Sequence, residues 1–130
     1  MNQFSIRAFS FFKIALGLMY FSGFVLHAMD VMNLRLNFSE MNSIWKSWIL
    51  FLLVFDLIAS VGLILKRLWG EVAFIMVALA QLIAYMGFSS FFGDQTFIII
   101  FHIICLVIYG LFKIQDFKKT LTPNTFSKKS

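Results

Sequence analysis

Four apolar runs, each about the length needed to cross a hydrocarbon core, alternate with short polar stretches along this chain. The middle two read WILFLLVFDLIASVGLIL and EVAFIMVALAQLIAYMGFSSFF, joined by Lys66-Arg67-Leu68-Trp69-Gly70. A helix rises about 1.5 Å per residue, so about 20 residues cover a core of about 30 Å. So short a connection makes the two helices antiparallel neighbours. The first run follows Arg7 and resembles the basic start of a signal sequence. No small-x-small pattern follows His27, however, so it reads as an uncleaved span. The fourth, TFIIIFHIICLVIYGLF, starts behind Asp94, whose carboxylate can cap it. The pattern predicts spans over 8–29, 45–65, 70–91 and 95–113, forming one integral membrane domain over 1–130. The polar tail 114–130, with Pro123, is expected to be flexible. Between the first two spans Met32, Leu34, Leu36 and Phe38 alternate with polar residues. With no partner strand in the chain, that segment is expected to lie extended or partly helical in the interface. Ser43 is the expected N-cap of the second span.

Composition agrees with lipid as the solvent. The chain is 61% hydrophobic and 13% charged, with mean hydropathy +0.89. A soluble domain of 130 residues could not bury so much apolar surface. The net charge of +5 could suggest nucleic acid, but the basic residues sit beside span ends and form no single binding face. No nucleic-acid partner is expected. Arg7, Lys13, Lys66, Arg67, Lys113, Lys118 and Lys119 fall on one side. Arg35 and Lys46 fall on the other, offset by Asp30, Glu40 and Asp94. The positive-inside rule then predicts an all-α transmembrane four-helix bundle with both termini cytoplasmic. The single cysteine, Cys105, permits no intrachain disulfide and no CxxC motif.

Candidate chemistry lies in the few polar residues at membrane depth, where ionisable groups are costly. Tyr20, Gly23, His27 and Asp30 share one stripe of the first helix; Ile98, His102, Cys105 and Tyr109 share one of the fourth. Helix rise puts His27 and His102 in one layer, about 5–12 Å below the outer surface. Asp56 and Gln81 fall near the midplane. Three readings stay open. Asp56 and Gln81 can hydrogen-bond across the hairpin while each histidine satisfies a backbone carbonyl or a tyrosine. Alternatively, His27, Asp30, His102, Asp56, Gln81 and Tyr20 can line an outward-facing pocket for a polar or redox-active ligand, or a proton path. In the third, His27 and His102 are ligands of a b-type haem or a metal. No phosphate-binding loop, HExxH or Ser–His–Asp arrangement is legible, and no catalytic activity of its own is expected.

An arginine before the first span, ALGLMYFSGF with Gly17 and Gly23, and a second span closing on GLILKRLWGEVAF are similar to the DoxX-like proteins. These are small four-helix proteins of bacterial and archaeal membranes. The resemblance covers the first three spans; the fourth matches in length. It implies a subunit of a prokaryotic cytoplasmic membrane, linked to quinone or thiol redox chemistry and acting with a partner protein. No catalytic residue carries over, because the matched positions are glycines and a topology-setting arginine. The expected role is an accessory or partner-binding subunit in the bilayer, alongside other membrane subunits or further copies of itself. A haem- or quinone-associated redox subunit, and an immunity protein against a pore-forming toxin, are the alternatives.

Overall fold

Every long apolar run is a helix in the computed structural model, which describes residues 2–121. Helix α1 spans Gln3–Val31, α2 Ser43–Ile64, α3 Leu68–Leu82 and α5 Thr96–Leu121. A π-helical turn, Ile83–Gly87, extends α3, and a short helix α4, Ser89–Phe92, precedes α5. No strand forms among the described residues. Four helices are long and apolar enough to cross a membrane: α1, α2, α3 with its π turn, and α5.

The helix ends follow local chemistry. Asn2 caps α1, its side chain accepting from the Ser5 amide at 2.7 Å. Asn42, and not the expected Ser43, caps α2 by accepting from the Trp45 amide at 2.9 Å; Ser43 already lies in the first turn. Asp94 caps α5 as predicted, accepting from the Thr96 amide at 3.1 Å and from the Thr96 hydroxyl. These bonds hold the Asp94 carboxyl below the usual carboxylate range, the hydroxyl contributing most.

Helices α1 and α2 end in the same motif with different residues. After α1, the Leu34 amide donates to the Met29 carbonyl and the Asn33 amide to the Asp30 carbonyl, at 2.8 and 2.9 Å. After α2, the Arg67 amide donates to Gly62 and the Lys66 amide to Leu63, at 2.8 and 3.0 Å. Both motifs need a left-handed residue, with φ 59° at Asn33 and 56° at Lys66. Asparagine tolerates this region; lysine there costs about 1 kcal/mol relative to glycine.

The connection after the first span is partly helical, one of the two forms expected: α1 runs through Asp30, and a single 3-10 turn, Phe38–Glu40, precedes α2. Besides the cap of α2, one further expectation changes. The last helix continues to Leu121, beyond the expected end at 113, because leaving the apolar layer does not end a helix whose next residues are good helix formers. Residues 114–121 are therefore helical, and 122–130 lie outside the described residues.

Helix α2 packs between α1 and α3, and α3 also meets α5. Glycines set how close the backbones come. Gly62 on α2 and Gly70 on α3 touch so tightly that a methyl group on either would strike the other's backbone. A Cβ at Gly17 would stand 3.1 Å from the Ser60 carbonyl. Large side chains instead link α1 to α5: Phe9 stacks on Phe112 with centroids 4.8 Å apart, and Tyr20 meets His102. Wide spacing there leaves room for a cavity.

Candidate functional site

The predicted stripe on α1 supplies one wall of that cavity. Tyr20, Gly23 and His27 face into it, joined by Asp56 of α2, Gln81 of α3 and His102 of α5. Arg35, from the α1–α2 connection, closes one end. The hollow measures about 300 Å³, a size suited to a small ligand. Met19, Ser22, Leu26, Phe97, Ile98 and Phe101 complete a lining that is mostly apolar. A shallower hollow against Trp48 and Phe92, about 480 Å³, has no titratable side chain in its wall.

Five of the six predicted pocket residues therefore line one space. Asp30 does not: it is fully buried behind the wall. Its two carboxylate oxygens accept from Arg35, Nε to Oδ1 at 2.8 Å and Nη2 to Oδ2 at 2.6 Å. This forked pair neutralises a carboxylate that would otherwise be prohibitive at zero exposure. The left-handed turn at Asn33 brings the chain back so that Arg35 can reach it.

His27 stands between two acids. Its Nδ1 is 3.5 Å from Asp30 Oδ2 and its Nε2 is 3.8 Å from Asp56 Oδ2. Both separations exceed a good hydrogen bond, so the ring is flanked by the carboxylates without being pinned by either. His102 is held more firmly. Its Nδ1–H donates to the Ile98 carbonyl at 2.8 Å, which leaves Nε2 of the neutral ring to accept from the Tyr20 hydroxyl at 3.1 Å. A carbonyl and a tyrosine thus satisfy this histidine, as one of the sequence readings anticipated.

Asp56 and Gln81 do not bond to each other. Both are buried, and Asp56 Oδ1 and Gln81 Oε1 each lack a hydrogen-bond partner among the described residues. The Ser60 hydroxyl, one turn from Asp56, is also unpartnered. Gly23 makes room for the carboxylate: a Cβ there would sit 2.8 Å from Asp56 Oδ2.

The arrangement fits a bis-histidine haem poorly. The lone pair of His102 that would ligate iron is the one occupied by Tyr20, and His27 and His102 face separate partners. No group of three or more His, Cys, Asp or Glu side chains able to hold a metal ion forms among the described residues.

Arg35 is the site residue that sequence reasoning missed, having been counted only towards topology. Its signal was an acid and a base five positions apart in a chain that is only 13% charged. Gly23 was placed on the correct stripe, but its role as space for Asp56 depends on α2.

No curated protein and no solved structure matches the chain. A family model does match, over residues 2–120, which include nearly all of the four long helices. The chain belongs to that family, DUF6163, a family of unknown function.

Proposed function

We propose that this protein is a small polytopic membrane protein, with both termini cytoplasmic, that binds an amphipathic small molecule in the cavity between α1 and α5. The observation that carries the reading is the pair of buried, unpartnered acceptors, Asp56 Oδ1 and Gln81 Oε1, at a mostly apolar hollow. Leaving such acceptors unmatched costs about 1–3 kcal/mol each. A ligand whose head donates two hydrogen bonds and whose body is apolar recovers that cost. A hydroquinone ring or an ammonium on a hydrocarbon frame has this chemistry. His27, flanked by Asp30 and Asp56, is placed to exchange a proton with such a head.

The role assigned is that of an accessory subunit of a prokaryotic cytoplasmic membrane, holding this ligand for a partner. The similarity of the first three spans to DoxX-like proteins supports that role. Extraction and mass analysis of detergent-purified protein test the reading. A small amphipathic molecule is expected in the wild type, and its retention should fall about tenfold or more in Asp56→Leu and in Gln81→Leu, the loss of one or two hydrogen bonds. Ser47→Ala, outside the cavity, should retain it. A wild type without the molecule, or retention at the wild-type level in both cavity variants, would overturn the proposal.

A further inference from the structure

Three lysines meet at the other end of the bundle. Lys13 of α1, Lys66 of the α2–α3 turn and Lys113 of α5 line a hollow of about 330 Å³, with Ile6, Phe9 and Asp116 also in its wall. Lys113 is already neutralised, its Nζ 3.0 Å from Oε1 of the buried Glu71. Lys13 lies over the Phe9 ring, 4.4 Å from its centroid, and neither Lys13 nor Lys66 has an acid within ion-pair distance among the described residues. With Asp116 as the remaining acid in the wall, the hollow keeps one positive charge. That is the complement of a single phosphodiester.

Lys66 strengthens the case. It occupies a left-handed backbone position, φ 56°, where α1 uses the better suited Asn33 and where glycine would be least strained. The lysine there supplies an ammonium that the turn itself does not need. The hollow lies at the end of the bundle that holds the α2–α3 turn, and its walls come from helices long enough to cross a membrane, with Ile6 and Phe9 adding an apolar edge one to two turns before Lys13 on α1.

We propose that this hollow binds the phosphodiester of an anionic phospholipid, with the phosphate between Lys13 and Lys66. Basic pockets between membrane helices hold acidic headgroups by the same forces. The site is separate from the cavity at Asp56 and does not depend on what that cavity holds.

The test uses the full chain in nanodiscs of phosphatidylcholine, with and without phosphatidylglycerol, read by thermal melting and by native mass spectrometry for retained lipid. Phosphatidylglycerol should raise the melting temperature by a few degrees and remain as a bound adduct. Lys66→Gly, which suits the left-handed turn, should melt at or above the wild-type temperature in phosphatidylcholine, yet retain phosphatidylglycerol about fivefold less. Lys13→Met should show the same loss, and Lys46→Gln, at the far end of the bundle, should respond as wild type. Wild-type retention by both Lys66→Gly and Lys13→Met would overturn the site. An equal shift from inorganic phosphate in phosphatidylcholine alone would overturn the lipid assignment.

Discussion

Asp30 is fully buried near the end of α1, where its side chain faces a guanidinium. The two partners are unequal: the Arg35 side chain is 41% exposed and that of Asp30 only 1%. Removing Arg35 strands a buried charge, whereas neutralising Asp30 lets Arg35 turn back to water. Arg35→Ala should therefore destabilise the protein by about 1.5–3 kcal/mol and Asp30→Asn by clearly less. Thermal melting in detergent gives the order, and a larger loss in Asp30→Asn would contradict this account. His27 is coupled to the same pair, since its Nδ1 approaches the oxygen that Arg35 Nη2 binds. Loss of Arg35 should thus disturb the cavity as well as stability.

The pairing of elements depends on small residues at a few crossings. Gly62 and Gly70 let the α2 and α3 backbones touch within two turns of the connection that joins them. Close approach of this kind is a principal source of helix association in lipid, where burial of apolar surface gives no net drive. Gly70→Ala should cost about 1–3 kcal/mol, because the backbones must part to admit a methyl group. Gly110→Ala on α5, where a Cβ would meet nothing within 4 Å, should be neutral or stabilise by about 0.5–1 kcal/mol. Equal melting temperatures for the two variants would show that the hairpin is not held by this contact. The contrast fits the burial pattern, in which α5 is the least enclosed of the four long helices and α3 the most.

For the molecule as a whole, the proposed orientation puts both termini on the cytoplasmic side, as four crossings and the positive-inside rule would require. In a Cys105→Ala background, Glu40→Cys should react with a membrane-impermeant maleimide in intact cells, and Lys119→Cys only after lysis. The reverse pattern would invert the bundle and place the Arg35 end of the cavity on the inner face.

How much of this was legible in advance follows from the forces involved. Lipid tolerates only continuous apolar runs with self-satisfied backbones, so the number and order of the helices long and apolar enough to cross it were written into the sequence and stand in the structure. Helical period alone put Tyr20, Gly23 and His27 on one stripe, and the cap at Asp94 needed only its neighbours along the chain. Other features depend on how one helix is rotated and spaced against another, which no single run encodes. The Asp30–Arg35 fork closes through a left-handed turn. His27 stands between acids from two helices, and Asp56 and Gln81 share a cavity without reaching each other. The contact of Gly62 with Gly70 likewise exists only once α2 and α3 are packed. Hydropathy and periodicity, being local, therefore determined which segments form long apolar helices and which faces are polar; packing, being collective, decided which polar atoms found partners and which were left facing the cavity.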